Sequence, residues 1–224
     1  MFTLEVSEKH ESCVLCSDLH CEEESECWQL QAVLNFAANE KVDCLLILGD
    51  LFDRLHYRLP AEELKKHFEK LTGEVELPRY VYYTTSLSSH DPILPAPAKL
   101  KLKSSELLAV PGVLRLRVGG HSVCGLHGDL VVSSGVLAFL LNKLASVASR
   151  ELLLEEIAKR RFCSNREWVF AGHTHLPGLD PVRRLGNPGS WKATWSGKIP
   201  YWKPSSFSVI KVSANEVKLL RVRL

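Results

Sequence analysis

Continuous apolar runs that stop abruptly at Gly, Asp or His recur along this chain. "VDCLLILGD" is apolar from Cys44 to Leu48 and then meets Gly49-Asp50. Such a run reads as a strand buried on both faces. "SCVLCSDLH", "RYVYYTT" and "EWVFAGHTH" have the same form and end near Asp18 and His20, at Thr85, and at His173 and His175. Between them the period changes. Glu26 to Asn39 carries Leu30, Val33, Leu34 and Ala37 at helical spacing. A second helix opens at Pro60, carries Leu64, Phe68 and Leu71, and stops at Gly73. "GVLRLRVGGHSVCGLHGD" predicts a hairpin turning on Gly119-Gly120. Residues Val136 to Arg161 predict one or two helices, and the final "SFSVIKVSANEVKLLRVRL" a hairpin around Ser213 to Asn215. The Pro-rich "DPILPAPAKL" reads as a short surface loop.

Alternating apolar strands and helices predict an α/β fold, in which loops at the carboxyl ends of strands gather at one edge. Asp18, His20, Asp50, His90, His127, His173 and His175 would then converge from five strand ends. A lone D-x-H or Gly-Asp is weak, since either suits a cap or a turn. Gly172-His173-Thr174-His175 is the strongest local signal: two His one residue apart, directly after a buried strand, rarely serve packing alone.

Composition narrows the field. The 224 residues are 46% apolar and fit one domain, with a helical insertion or cap at about 130–168. The formal charge of +2, with both signs mixed along the chain, gives no basic field, so nucleic acid is not expected as an obligatory partner. The start is polar, and the most apolar stretch, Val131 to Val147, is interrupted by Ser133, Ser134, Asn142 and Lys143. No transmembrane segment is expected, and a cytoplasmic protein is the default. Seven cysteines are an odd count without the spacing of a disulfide framework. Cys13 and Cys16, three apart on a strand, point to opposite faces and so cannot share one metal.

In order, the motifs are Asp18-x-His20, Gly49-Asp50-Leu51-Phe52-Asp53-Arg54, Ser88-Ser89-His90-Asp91, His127-Gly128 and Gly172-His173-Thr174-His175. This series resembles the calcineurin-like metallophosphoesterases, whose pattern is D-x-H, G-D-x-x-D-R, G-N-H-D/E, a His-Gly pair and G-H-T-H. "LHGD" and "NPGSW" resemble prokaryotic branches that include small phosphodiesterases and UDP-diacylglucosamine hydrolases. The third motif departs: Ser88 and Ser89 replace Gly and Asn.

The resemblance implies a four-layer sandwich, two mixed β-sheets flanked by helices, and a hydrolase that cleaves a phosphodiester or pyrophosphate with a metal-bridging hydroxide. It implies that Asp18, His20, Asp50 and His175 hold one metal, and Asp50, Ser89, His127 and His173 the other. Carboxylate and imidazole ligands suit Mn²⁺, with Fe, Zn²⁺, Co²⁺ or Ni²⁺ as alternatives, better than Ca²⁺. His90 is the expected acid or transition-state stabiliser, and Asp91 its orienting partner. Asp53 and Arg54 are expected to support ligands or reach a phosphate. Ser89 offers a neutral hydroxyl where the family has an Asn oxygen; with every other ligand present, the loop reads as altered but working.

The expected partner is a small phosphoester. The apolar half of the insertion, "VLAFLLNKLASV", is open to three readings: packing on the sheet, a cap contacting an apolar part of the substrate, or a homodimer interface. The rival functions are a non-catalytic metal-binding scaffold of the same fold and a nuclease.

Overall fold

The computed structural model describes residues 1–23, 25–87, 90–147, 151–195, 199–200 and 205–223. In chain order the elements are β1 (Phe2–His10), β2 (Ser12–Cys16), α1 (Trp28–Asn39), β3 (Cys44–Leu48), α2 (Ala61–Thr72), β4 (Tyr80–Thr84), β5 (Ala98–Lys101), β6 (Glu106–Val110), β7 (Gly112–Val118) and β8 (His121–Leu126). There follow α3 (Gly135–Val147), α4 (Leu153–Phe162), β9 (Trp168–Ala171), β10 (Gly178–Asp180), β11 (Leu185–Asn187), the short pair β12 (Thr194–Trp195) and β13 (Ile199–Pro200), β14 (Ser208–Ser213) and β15 (Val217–Arg221).

Two mixed sheets stack between helices. One has seven strands in the order β15-β14-β2-β3-β4-β6-β5, the other six in the order β1-β7-β8-β9-β11-β10. Strands β2, β3, β4 and β6 run parallel, as do β8 and β9. The apolar runs are continuous because alternate residues enter different cores. Val14, Cys16, Leu45 and Ile47 pack towards α1 and α2, while Cys13, Leu15, Cys44, Leu46 and Leu48 meet the second sheet. On the far side, Ala158 of α4 packs with Val169 and Ala171 of β9. Helix α3 lies beyond α4, with the buried Asn142 carboxamide accepting from Leu154 N at 2.9 Å and donating to Glu155 at 2.9 Å.

Helix α2 illustrates what holds the layers together. Pro60 opens it, Gly73 ends it with φ +59°, and its fully buried Leu64, Phe68 and Leu71 form one stripe. Each such side chain contributes about 1.5–3 kcal/mol by burial. Truncating Phe68 to Ala would cost about 3–5 kcal/mol through the cavity left behind.

Two expectations are corrected. The end of the Pro-rich segment enters β5, and the polar start, for which no element was expected, forms β1. Two disulfides occur, Cys21–Cys27 and Cys124–Cys163. Cys13 and Cys16 do face different cores. Among the described residues no helix is long and apolar enough to cross a membrane.

Candidate metal centre

The strand ends of both sheets meet at one edge, and each motif supplies a loop there. Asp18 and His20 follow β2, Asp50 follows β3, His90 lies beyond β4, His127 follows β8, and His173 and His175 follow β9. Their ligating atoms form three overlapping groups within 4.8 Å: Asp18, His20 and His175; His20, Asp50 and His90; and Asp50, His127 and His173. Asp50 belongs to two of these. Ser89, the remaining expected ligand, lies outside the described residues.

The backbone is bent to achieve this. Among the described residues nine non-glycine residues have positive φ, and five are Asp18 (52°), His20 (51°), Asp50 (47°), His173 (79°) and His175 (61°). Each such conformation costs about 1–3 kcal/mol and persists only where its surroundings hold it. The motif glycines have their own reasons. Gly49 has φ +75°, and a Cβ there would stand 2.3 Å from His127 Nδ1. A Cβ on Gly172 would stand 2.7 Å from both an Asp18 carboxylate oxygen and Leu48 O. Side-chain atoms at either position would push the ligands apart.

Hydrogen bonds fix which nitrogen each imidazole turns inward. His127 Nδ1 donates to Leu48 O at 2.7 Å, leaving Nε2 3.5 Å from Asp50 Oδ2. His173 Nε2 donates to Val132 O at 2.8 Å, leaving Nδ1. His20 Nδ1 sits 3.2 Å from Asp53 Oδ1, leaving Nε2 3.8 Å from Asp50 Oδ2. His175 Nε2 is 3.2 Å from Asp18 Oδ1. For His127, His173 and His20 this is the pattern of metal-binding histidines, in which the outer nitrogen is pinned and the inner nitrogen is turned to the site.

Among the described residues, the buried atoms His20 Nε2, Asp50 Oδ1 and His127 Nε2 have no hydrogen-bond partner. Unsatisfied buried polar atoms cost about 1–3 kcal/mol each. Their convergence on a carboxylate and imidazoles fits a divalent cation. Charge is balanced accordingly. Burial opposes ionisation of Asp18 and Asp50, but neighbouring imidazoles, His175 for Asp18 and His127 for Asp50, hold both below the usual carboxylate range. Burial pushes His20 and His173 down, towards the neutral form that ligates.

The structure corrects the place given to Asp91. Its carboxylate accepts from the backbone N–H groups of Asp50 at 2.8 Å, Phe52 at 3.2 Å and Ser86 at 2.8 Å. It therefore braces the loops after β3 and β4 rather than the imidazole of His90. Burial and the nearby Asp50 charge push it up to about 6. His90 is oriented by Asp53: its Nδ1 donates to the Asp53 carbonyl at 2.7 Å, which leaves Nε2 for other chemistry. Arg54 projects largely into solvent, with Nε 3.7 Å from Asp53 Oδ2.

Sequence reasoning missed Lys192. Its Nζ donates to Asp53 Oδ1 at 2.6 Å across a sequence separation of 139, and the Asp53 carboxylate is shared with His20. Burial opposes the charge on Asp53, and His20 and Lys192 more than offset it, holding the carboxyl low. His20, Asp53 and Lys192 line a cleft of about 240 Å³ together with Cys27, Trp28 and Gln29. Asn187 was also missed: it is fully buried and donates to Glu155 at 2.7 Å and Thr174 at 3.0 Å, steadying the loop of His173 and His175. The signal was the polar "NPGSWK" stretch after the last motif. Asp129, an unassigned neighbour in sequence, accepts from Leu87 N at 2.6 Å.

The family profile of the calcineurin-like phosphoesterase superfamily domain matches residues 12–213, and the chain belongs to that family. No curated protein sequence matches. Among solved structures, a single mutant of Vps29 from Entamoeba histolytica is similar at 16% identity and TM-score 0.48, over 93% of this chain and 89% of that one. A conserved protein of Streptococcus pneumoniae described as a predicted phosphoesterase is similar at 14% identity and TM-score 0.42, over 95% and 89%. The phosphoesterase YfcE from E. coli is similar at 16% identity and TM-score 0.41, over 95% and 100%.

Proposed function

We propose that this chain hydrolyses a small phosphodiester or pyrophosphate with two divalent metal ions, Mn²⁺ by preference. The observation that carries the reading is the convergence of buried His and Asp atoms without partners, in a chain of a phosphoesterase family. Asp18, His20, Asp50 and His175 would hold one ion, and Asp50, His127 and His173 the other, with Ser89 as a candidate further ligand. When bound, the pair supplies water activation and neutralises phosphate oxygens.

The chain's own residues do the rest. The imidazole of His90 is held at Nδ1 by the Asp53 carbonyl, so Nε2 is the atom that would carry a proton to the leaving oxygen. Asp53 holds His20 and is itself held by Lys192, so the ligand, the carboxylate and the cation form one braced unit at the cleft wall. Trp28, which lines the same cleft and is exposed, would offer a surface for the leaving group.

The test is a substrate panel with added Mn²⁺: a chromogenic phosphodiester, the matching monoester, and a nucleotide sugar with a pyrophosphate link. The reading expects diester or pyrophosphate turnover to exceed monoester turnover. A protein active only on monoesters would contradict it.

A further inference from the structure

Away from the metal centre, where β1 ends and β3 begins, the chain assembles a second set of ligating groups. His10 ends β1, and Asp43 directly precedes Cys44, which opens β3. His10 Nδ1, a carboxylate oxygen of Asp43 and Cys44 Sγ all lie within 4.8 Å of one another. His10 Nδ1 is 3.6 Å from Asp43 Oδ2. Two ligands on a tetrahedral zinc ion, at bond lengths of about 2.0–2.3 Å, stand roughly 3.3–3.7 Å apart.

The imidazole is prepared for this. His10 is 4% exposed, and its Nδ1 has no hydrogen-bond partner among the described residues. Its other nitrogen, Nε2, lies 2.8 Å from the Tyr82 hydroxyl. If Nε2–H donates to that hydroxyl, the Nδ1 lone pair points at Asp43 and Cys44, the arrangement in which an outer hydrogen bond fixes a ligating tautomer. Burial keeps His10 towards its neutral form, against the pull of Asp43. The Asp43 carboxylate is fixed by Glu11 N at 3.1 Å and Ser12 N at 3.0 Å, and each oxygen keeps a further lone pair. Cys13 is the register partner of Cys44 across β2 and β3, faces the same core, and is also a free thiol.

We infer that His10, Asp43 and Cys44, with Cys13 beside them, form a second metal site, containing thiolate and separate from the phosphoesterase centre. The mixture of imidazole, carboxylate and thiolate selects Zn²⁺ over Mn²⁺ or Mg²⁺. Its position makes it structural: one ion would clamp the end of β1 in one sheet to the start of β3 in the other. Binding releases the Cys44 proton to solvent, so affinity rises with pH.

Cobalt tests this, because a thiolate ligand gives a charge-transfer band in the near ultraviolet and the phosphoesterase centre offers no thiol. The full chain, purified without chelator or reductant, is titrated with Co²⁺ alone and then with Zn²⁺. The expected result is a band that saturates near one equivalent, is displaced by Zn²⁺, and is lost in Cys44→Ser and in His10→Gln. It should persist in Cys16→Ser, whose thiol faces the other core. Should Cys44→Ser fail to fold, His10→Gln decides. Absence of the band in the wild-type chain, or its survival in His10→Gln, would overturn the site.

Discussion

Replacing Gly49 by Ala tests whether backbone geometry builds the metal centre, and Gly120→Ala supplies the control. Both glycines have positive φ, +75° and +81°. Among the described residues a Cβ on Gly120 meets nothing within 4 Å, whereas on Gly49 it falls 2.3 Å from His127 Nδ1 and 2.4 Å from Cγ. The left-handed conformation costs an L-residue about 1–2 kcal/mol at either position. Only Gly49→Ala adds a collision, about 1–3 kcal/mol for forced repacking. The totals are then roughly 1–2 kcal/mol for Gly120→Ala and roughly 2–5 kcal/mol for Gly49→Ala. The extra cost falls on the imidazole that donates to Leu48 O and faces Asp50. Urea unfolding would read the stability difference, and a Mn²⁺ titration of hydrolysis the displacement of His127. Gly49→Ala should weaken Mn²⁺ about 10–100-fold, the usual effect of disturbing a ligand's support. Gly120→Ala should leave that titration in place. Equal losses of stability with unchanged Mn²⁺ dependence in both variants would refute the reasoning.

Other outcomes follow from the same geometry. His90→Ala should retain metal content and lose about 10²-fold or more in turnover; an emptied metal site would instead make His90 a ligand. Asp91→Asn should destabilise by about 1–3 kcal/mol, because one carbonyl oxygen cannot replace a carboxylate bound to three backbone amides; unaltered stability with a changed pH-rate profile would return Asp91 to the role of His90's partner. Asp53 has a depressed folded pKa, so its contribution is present above the unfolded value of about 3.9 and is lost as pH falls below it. Lys192→Met should therefore flatten the acid limb of the stability profile while leaving the slope near neutral pH unchanged, as pH-dependent unfolding would read.

The buried centre of the fold was legible because strands covered on both faces need unbroken apolar runs. "CLLIL" and "WVFA" announced β3 and β9, and the polar residues where they stop marked the site. The edges were not legible. β1 lies at the end of the six-stranded sheet, is largely exposed, and mixes charge through "TLEVSEK". β5 is also an edge strand, entered through prolines that read as loop. Within the site, positions along the chain pointed to Asp and His but not to where a carboxylate turns. Asp91 stands beside His90 in sequence and still turns to backbone amides, while the Asp53 carbonyl, which no side-chain pattern records, takes the imidazole. Lys192 was hidden for the same reason: only the tertiary fold brings it to Asp53.

The most direct test of the central claim is Mn²⁺ binding and hydrolysis measured on one preparation. Chelator-stripped protein should be inactive on a chromogenic phosphodiester, and equilibrium dialysis should then load about two Mn²⁺ per chain as turnover returns. Asp50→Asn, which removes charge from the carboxylate common to two ligand groups, should weaken both ions and abolish the recovery. Turnover that survives stripping, or full Mn²⁺ loading of the Asp50→Asn chain, would contradict the account.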